Sequence, residues 1–405
     1  MSLRTTPVRA RVSEFLRRRT LSSADNPTLG GGSPPILKDL KVLVNTSSET
    51  NALADITRAA RVIKKLFKPF FEIREYPTPL GPVICCQPAG QAAPILMVAH
   101  YDTVVPVSRA GGYREEGNKV FGAGISDMKA GIAMAAALAK RYKIEGRAIP
   151  FGVIIVPDEE IGSPESAPIL RTVARSYRLA LILEPVFTTG QYVMSRRGLT
   201  KYNIEIIGKT VHTGLSYERA DAMLAAAQII VAVSKRHDPQ RYFSTNLVID
   251  PLSLVGKINA VEGRVKLSGE IRTGSETDQQ GFFSWLREFI STIRIEGVTL
   301  QLVVPEKGQS SPVTVGETAQ RYERVLQEVM TGQGIAPDCV PAHERGASDL
   351  NRLTNVLPAI DGLGAVGFGA HSTTEWIDRL ALAERTKLLW ELTNRLSIEL
   401  SSWSS

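Results

Sequence analysis

Three short runs of apolar residues divide the middle of the chain. They occupy residues 95–99, 151–156 and 179–183, and no charged residue interrupts any of them. Such continuous runs are typical of strands buried on both faces of a parallel sheet, whereas half-exposed strands alternate. Between the first two runs, the alanine-rich residues 129–142 predict a crossover helix. We therefore predict an α/β fold with a mixed, mostly parallel sheet covered by helices.

The pattern changes near residue 198 and changes back near residue 308. Between these points, residues 200–207 and 264–272 alternate as half-buried strands do, around a helical stretch at 220–236. Outside them, apolar positions recur at helical spacing in residues 51–67, 319–330 and 381–396. We predict three parts: an Arg-rich N-terminal segment and linker at 1–36, a main domain at 37–197 and 308–405, and an inserted smaller α+β domain at 198–307.

The composition is that of a globular chain with a sizeable core. Of its 405 residues, 43% are hydrophobic and 22% are charged, which excludes a disordered or fibrous protein. The net charge is +7, but residues 1–36 hold six arginines against Glu14 and Asp25 and so supply +4 of it. The remainder is nearly balanced and has no basic stripe interleaved with aromatic residues, so we predict no nucleic-acid partner.

The start of the chain has several interpretations. It has no apolar run long enough for a secretory signal, and nowhere do 18 apolar residues follow one another, so we expect a cytoplasmic protein with no membrane partner. An Arg-rich, acid-poor start is also typical of a transit peptide, although Glu14 and Asp25 interrupt it. A third interpretation is an amphipathic helix at residues 12–21 that packs on the body.

The three cysteines do not indicate a disulfide framework or a thiolate metal site. Cys85, Cys86 and Cys339 form no CxxC pair. On a strand, the neighbours Cys85 and Cys86 would face opposite ways.

Side chains of the types that bind metal ions follow the predicted strands or flank the predicted crossover helix. They are His100, Asp127, Glu159, Glu160, Glu184 and His371. The carboxyl ends of strands in an open α/β sheet form a crevice where such side chains can converge. Singly, each has an ordinary interpretation as a structural histidine or a solvated acidic turn. Together they supply one imidazole for each of two metal ions and a set of carboxylates suited to zinc, with cobalt or manganese as weaker alternatives.

Six motifs carry a resemblance to a known family. In order along the chain, and within about residues 37–400, they are AHYDTV, GAGISDMKAG, PDEEIGS, LEP, GKTVHTG and GFGAHSTTEWID. With them the chain resembles the zinc-dependent aminoacylase, deacetylase and glutamate carboxypeptidase family of two-metal peptidases, and it is closest in motif to glutamate carboxypeptidase. The resemblance implies a zinc-exopeptidase type of fold in which the insert is a dimerisation domain.

The resemblance also implies ligands for two Zn²⁺ ions per chain. Asp127 would bridge the two ions. His100 and Glu184 would complete one site. Glu160 and His371 would complete the other. Two ions about 3.5 to 4 Å apart can together activate a water and polarise the scissile carbonyl.

Two further acidic residues have roles in this scheme. Asp102, two residues beyond His100, would accept the second ring hydrogen of that ligand and fix its tautomer. Glu159 is left as the general base, which takes a proton from the water and passes it to the departing amine. Family structures also carry a cis peptide after the bridging aspartate, so we expect one between Asp127 and Met128.

The insert holds candidate residues for substrate binding. His212 matches the family position whose imidazole reaches the active site of the neighbouring subunit and helps to bind the developing oxyanion. This match predicts a homodimer; the alternative is an ordinary surface histidine in a turn. Asn259 and Arg272 resemble the family's asparagine and arginine in the insert, although an arginine on a strand can equally form a structural ion pair.

Two departures from the family bear on the substrate. Where the glutamate carboxypeptidases carry an Arg-Pro pair just after the insert, residues 307–312 read KGQSSP, so an expected carboxylate-binding arginine is missing. Near the end, the family shows a run of glycines before Thr-Asp, whereas this chain has Arg345 and Gly346 before Ala-Ser-Asp. Our hypothesis is that Arg345 and Gly346 lie in the substrate pocket and that Arg345 supplies the missing charge.

The predicted activity is hydrolysis of an amide bond next to a free carboxylate. The substrate would be a small peptide, as for a glutamate-carboxypeptidase-like exopeptidase, or an N-acyl amino acid, as for a deacylase of the acetylornithine or succinyl-diaminopimelate type. A different class of function is a non-catalytic relative that binds metal or amino-acid conjugates. Glu159 and the complete ligand set favour an enzyme.

Overall fold

The computed structural model describes residues 35–90, 92–214, 219–238 and 243–402. These residues form two compact units. The first takes the described residues of Met1–Met194, Val315–Glu344 and Ser348–Ser405, and the second takes those of Ser195–Thr314 and Arg345–Ala347. The predicted insert at 198–307 lies within the second unit. The helix proposed for residues 12–21 lies outside the described residues.

The helices and strands are numbered in chain order. The helices are α1 Pro35–Asn45, α2 Leu53–Phe67, α3 Val107–Ala110, α4 Ala130–Ile144, α5 Ala167–Ala174, α6 Ala222–Ser234, α7 Glu276–Thr292, α8 Glu317–Gly332, α9 Asp349–Leu353 and α10 Arg379–Ser402. The strands are β1 Glu72–Tyr76, β2 Val83–Gln87, β3 Ile95–His100, β4 Arg114–Glu116, β5 Lys119–Phe121, β6 Phe151–Val156, β7 Leu179–Ile182, β8 Gln191–Tyr192, β9 Gly198–Ile207, β10 Val211–His212, β11 Ser244–Ile249, β12 Ala260–Val261, β13 Arg264–Thr273, β14 Thr299–Val303, β15 Asp338–Cys339, β16 Ala359–Ile360, β17 Gly367–Phe368 and β18 Trp376–Asp378.

A six-stranded mixed sheet forms the centre of the first unit, in the order β1-β2-β6-β3-β7-β16. The last four strands in this order are mutually parallel, and β1 and β2 add an antiparallel edge. Every residue of β3, β6 and β7 is buried, as continuous apolar runs in a parallel sheet require. The predicted fold class, a mixed and mostly parallel sheet with helices, is confirmed.

The register of the sheet brings the ends of two central strands together. His100, the last residue of β3, pairs with Val156, the last residue of β6. The segments that follow β3 and β6 therefore begin side by side at the carboxyl edge of the sheet. This edge is where the sequence analysis placed the ligand side chains.

Helices and strands share one large hydrophobic core in the first unit. Helix α4 begins directly after the π-helical turn Ile125–Lys129 and is buried along most of its length. Gly131 allows this helix to approach the end of β7, because a Cβ there would lie 2.6 Å from the backbone oxygen of Leu183. In the described part of the chain, no helix combines the length and the apolar character needed to span a membrane.

The second unit is an antiparallel sheet, β11-β13-β9-β14, with helices α6 and α7 packed on it. Side-chain caps define where both helices begin: Asp221 accepts from two backbone N–H groups at the start of α6, and Ser275 accepts from that of Asp278 in α7. The two ends of the unit run side by side, because Leu199 and Ser310 exchange two backbone hydrogen bonds of 2.8 Å.

Candidate metal centre

Five side chains gather at the carboxyl edge of the central sheet in two groups that share Asp127. The first group is His100, Asp127 and Glu184, and the second is Asp127, Glu160 and His371. Within each group, one ligand atom from every residue lies within 4.8 Å of the others. These are the five residues that the sequence analysis assigned to two metal ions, divided in the same way.

The carboxylate of Asp127 faces both groups with different oxygens. Its Oδ1 lies 3.0 Å from Nε2 of His100, and its Oδ2 lies 3.4 Å from Nε2 of His371. Asp127 sits in the turn before α4, where its backbone leaves helical geometry. The expected cis peptide between Asp127 and Met128 is present.

Asp102 contacts His100 at Nδ1, the ring nitrogen that points away from the other ligands. The side chain of His100 is 1% exposed, and its Nδ1 lies 3.1 Å from the backbone oxygen of Asp102 and 3.3 Å from Oδ1 of the same residue. The other ring nitrogen, Nε2, therefore faces Asp127 and lies 3.8 Å from Oε1 of Glu184. Burial acts to lower the pKa of His100, but hydrogen bonds with Asp102 and Asp127 outweigh it and raise the pKa well above its usual value.

Asp102 also holds the segment that carries Glu159 and Glu160. Its Oδ1 accepts from the backbone N–H of Glu159 at 3.1 Å, and its Oδ2 accepts from that of Glu160 at 3.2 Å. The hydroxyl of Thr50 donates to the same Oδ2. One buried carboxylate thus orients a histidine of the first group and the backbone of an acidic residue of the second.

Glu159 belongs to neither group but lies among the same carboxylates. Burial raises its pKa well above the usual value, and the charge of Glu184 raises it further. The short turn Glu159–Ile161 therefore presents two consecutive acids with different surroundings: Glu160 contacts His371 at 2.9 Å, and Glu159 does not enter either ligand group.

His371 occupies the loop between β17 and β18 and is about half exposed. Its backbone has φ of 64°, in the left-handed region that is uncommon for residues other than glycine and is frequent at functional sites. Hydrogen bonds with Asp127 and Glu160 raise the pKa of His371 to about 10.

The donor set fits metal ions of the zinc type. Each group offers one imidazole nitrogen and two carboxylate residues, which are ligands that zinc, cobalt and manganese accept. Burial raises the pKa of Glu160 as it does that of Glu159, because several carboxylates are held out of water together. A divalent cation bound to each group would offset the repulsion between these carboxylates, because bound cations are among the largest local charges in a site.

Two buried acids at this site were missed in the sequence analysis. Glu375 accepts hydrogen bonds from three backbone N–H groups around Asp127. Asp349 accepts from the hydroxyl of Ser163, in the turn that follows Glu160. Both residues lie inside or beside the motifs described above, and Glu375 is the fourth residue after His371. Their hydrogen bonds to distant segments, which the sequence does not reveal, are what connect them to the site.

The predicted substrate residues all belong to the second unit, where they form separate contacts. His212 and Asn259 lie together, with Nε2 and Nδ2 3.4 Å apart, next to the short ladder of β10 and β12. Arg272 donates from Nε to Glu270 at 2.7 Å, so the alternative of an ion pair on the strand is realised. Arg345 is half-buried, and the backbone oxygen of the exposed Gly346 accepts from Arg196.

Known proteins resemble this chain in sequence and in fold. The model of the peptidase family M20/M25/M40 matches residues 96–395. Carboxypeptidase G2 from Pseudomonas sp. (strain RS-16) is 24% identical over 368 residues, which cover 87% of this chain and 87% of that protein.

Solved structures share the fold. A tripeptidase from Staphylococcus aureus superposes with a TM-score of 0.75 at 18% identity, over 89% of this chain and 98% of its own. Aminopeptidase PepT from Bacillus cereus has a TM-score of 0.73 at 21% identity, over 88% of this chain and 97% of its own.

Proposed function

The chain belongs to the peptidase family M20/M25/M40, and on that basis we propose that it is a two-zinc hydrolase that cuts an amide bond next to a free carboxylate. The family resemblance and the prediction of a hydrolase are confirmed by the family match. Within the family we favour a glutamate-carboxypeptidase-like exopeptidase, because carboxypeptidase G2 is similar over most of both chains.

The observation that carries the proposal is the orientation of Asp127. A carboxylate that only balanced a single positive charge would have no reason to face two histidines from opposite oxygens. Asp127 does so, and each histidine has a second acid beside it, Glu184 for His100 and Glu160 for His371. This arrangement supports two ions with one shared ligand, and the mixed nitrogen and oxygen donors favour zinc.

When bound, the two ions would polarise the scissile carbonyl and acidify a water between them. Asp102 keeps His100 in the tautomer that offers Nε2. Glu159 is the residue proposed to move protons: its carboxylate takes one from the attacking water and gives it to the departing amine nitrogen. Asp102 also accepts a hydrogen bond from the backbone N–H of Glu159, so the same residue positions the proposed general base and the ligand His100.

We propose a homodimer formed by the second unit. Of the thirteen large apolar side chains that are exposed in the described part of the chain, eight belong to this unit: Ile207, Leu224, Val231, Val248, Leu252, Val255, Ile258 and Val303. Leu224 and Val231 lie two helical turns apart on α6, and apolar side chains exposed together are typical of protein interfaces. In such a dimer, His212 would serve the active site of the neighbouring subunit. Sedimentation analysis of the protein with Leu224→Lys and Val231→Lys tests this: wild type is expected to be dimeric and the double variant monomeric, and a monomeric wild type would refute the proposal.

For substrate binding we propose Asn259 with His212 at the carbonyl oxygen, and Arg345 with Gly346 at the free carboxylate. Arg272 remains a further candidate, although its contact with Glu270 engages part of its guanidinium. The test is Arg345→Ala, which we expect to raise KM at least tenfold without a comparable fall in kcat. An unchanged KM for every substrate would exclude Arg345.

The experiment for the activity uses zinc-loaded protein and a mixed pool of dipeptides and N-acyl amino acids, with mass spectrometry of the amino acids released. Glu159→Gln protein is the blank. Release of C-terminal residues from peptides supports the exopeptidase, whereas cleavage restricted to N-acyl bonds supports a deacylase. Absence of any product from fully loaded protein would refute the proposed activity and favour a non-catalytic relative.

A further inference from the structure

Glu375 ties the two loops of the metal centre to each other. Its carboxylate is almost completely buried, with 3% of the residue exposed. Oε2 accepts from the backbone N–H of Gly124 at 2.8 Å, and Oε1 accepts from those of Ser126 and Asp127 at 2.7 and 2.9 Å. The side chain thus holds the turn that presents Asp127, while its own backbone belongs to the loop that presents His371.

The neighbouring strands bring Glu375 to this position. Trp376 and Ile377 in β18 pair with Phe121 and Val120 in β5, and the backbone oxygen of Glu375 accepts from Gly122. The ladder therefore carries the end of the His371 loop directly to the start of the turn at 122–127. The carboxylate continues the same contact beyond the last ladder pair.

Three backbone donors in a buried turn need an acceptor. Buried N–H groups without a partner cost free energy, and an ionised carboxylate is the strongest acceptor that a side chain offers. The ammonium of Lys129, also buried, interacts electrostatically with the same carboxylate. Glu375 is therefore placed to fix the backbone of the turn, and with it the direction of the Asp127 side chain.

The other ligands of the two groups lie on different kinds of elements. His100 ends β3, and Glu184 follows β7, so these two are positioned relative to each other by paired strands of the central sheet. His371 lies on the loop between two very short strands, and its Nε2 stands 3.4 Å from Oδ2 of Asp127. Glu375 links the loop that carries His371 to the turn that carries Asp127.

We propose that Glu375 is a positioning residue that selectively determines the affinity of the metal site formed by Asp127, Glu160 and His371. The inference rests on the proposed two-metal function. Replacement by glutamine would keep the size but turn an NH₂ group towards the N–H of Gly124, so one acceptor is lost and a donor faces a donor. Replacement by aspartate would keep the charge but shorten the reach by one methylene.

The experiment measures zinc bound per chain after dialysis against chelator buffers of graded strength, by mass spectrometry of the metal. We expect two ions in wild type. In Glu375→Gln and Glu375→Asp, we expect the ion that His371→Ala loses to bind about 10- to 100-fold less tightly, which is the usual effect of losing a partner that orients ligands. The affinity for the other ion should be unchanged. His371→Ala serves as the reference for loss of that site alone.

Asp378→Asn is the matched control. Asp378 is a buried acid three residues beyond Glu375 that also accepts a backbone N–H, that of Ala381 at 2.7 Å, together with the amide of Asn118. These two hydrogen bonds join Asp378 to the start of α10 and to Asn118, not to the turn at Asp127. A variant that disturbs this region only through stability should resemble the Glu375 variants in melting temperature but keep wild-type affinity for both ions.

The outcomes separate the two proposals. If wild type binds two ions and the Glu375 variants bind both as tightly, or lose both in parallel, Glu375 is not a selective positioning residue and the two-metal proposal stands. If wild type holds no zinc under any condition, the two-metal function fails and this inference falls with it. Selective loss of one ion in both Glu375 variants, but not in Asp378→Asn, supports it.

Discussion

The hydroxyl of Ser163 donates a hydrogen bond of 2.6 Å to Oδ1 of Asp349. Both residues are buried, with 1% and 2% of their surface exposed. Burial raises the pKa of Asp349 to about 6, and the hydrogen bond from Ser163 opposes that shift. A carboxylate removed from water in this way depends on its few donors.

Ser163→Ala should destabilise the protein through Asp349. We expect the free energy of unfolding to fall by about 1.5–3 kcal/mol at pH 7.5, the usual effect of losing a hydrogen bond to a charged group. Urea unfolding of the metal-free protein measures it. The pKa of Asp349 is raised above its ordinary 3.8, so its stabilising contribution is complete below pH 3.8 and is lost as the pH rises through 6. Without the Ser163 hydroxyl, the pKa of Asp349 should rise further, so more stability is lost as the pH increases. The difference in unfolding free energy between wild type and Ser163→Ala should therefore be smaller at pH 5 than at pH 7.5.

The control for this prediction is Thr331→Ala, which removes a hydroxyl bonded to Gln327 on the exposed side of α8. A surface change of this kind is expected to stay within about 0.5 kcal/mol. Equal deficits for the Ser163 and Thr331 variants, or a deficit independent of pH, would contradict the role of Asp349.

Metal binding should release protons. His371 has a pKa of about 10 in the metal-free protein because Asp127 and Glu160 hold its imidazolium form. A metal ion needs the neutral imidazole and must displace that proton at neutral pH. The apparent zinc affinity should therefore rise about tenfold per pH unit for each displaced proton between pH 6 and 8. Competition with a chelator of known affinity at pH 6, 7 and 8 measures how steeply the apparent zinc affinity rises with pH. In His371→Ala, the number of protons released on zinc binding should be smaller by one. A zinc affinity that does not change with pH would be inconsistent with this assignment.

Glu159→Gln should separate chemistry from metal binding. Because Glu159 belongs to neither ligand group, we expect both ions to remain and kcat to fall by about 10²- to 10⁴-fold, the usual contribution of a general acid–base residue. Steady-state kinetics on a cleaved substrate and metal content on the same sample provide the measurement. Glu160→Gln is the companion variant, and we expect it to lose an ion as well as activity. Wild-type turnover in Glu159→Gln would remove Glu159 from the mechanism.

The three cysteines should differ in reactivity. Cys85 and Cys86 are buried in β2, and burial raises the pKa of Cys85 to about 11 and that of Cys86 further. Cys339 is exposed, although desolvation of its thiol and then the charge of Glu323 raise its pKa to about 11. With a thiol-specific disulfide reagent at pH 8, we expect one slow reaction in the native protein and three after unfolding. Cys339→Ser should abolish the native reaction; fast modification of two or more thiols would contradict the burial of β2.

The central strands and their ligands could be predicted because they depend on local sequence. A strand buried on both faces must be apolar throughout, and β3 extends over Ile95–His100 where the apolar run predicted 95–99. The position of a ligand at the end of such a strand is determined by the strand itself, as it is for His100. The crossover helix was predictable for the same reason, since its alanines face the core.

The contacts behind the ligands could not be predicted, because they join distant segments through short strands. The ladder that delivers Glu375 to Asp127 involves only three residues of β18, too few for any periodic pattern. Asp102 was expected to serve His100, but its two hydrogen bonds to the backbone at Glu159 and Glu160 depend on the sheet register. Likewise β1, with the sequence EIREY, resembles a surface loop and becomes a strand only by pairing with β2.

The order of strands in the central sheet determines when that sheet can be completed during synthesis. Strand β7 pairs with β16 through Leu181 and Ile360, and the whole sheet of the second unit, β9 to β14, lies between them in the chain. A ribosome therefore completes that sheet and helices α6 and α7 while the edge of β7 still has no partner. Long-range pairing of this kind is slow and leaves an exposed strand edge open to association. The first unit is therefore begun first and finished last, and most of the second unit is synthesised in between.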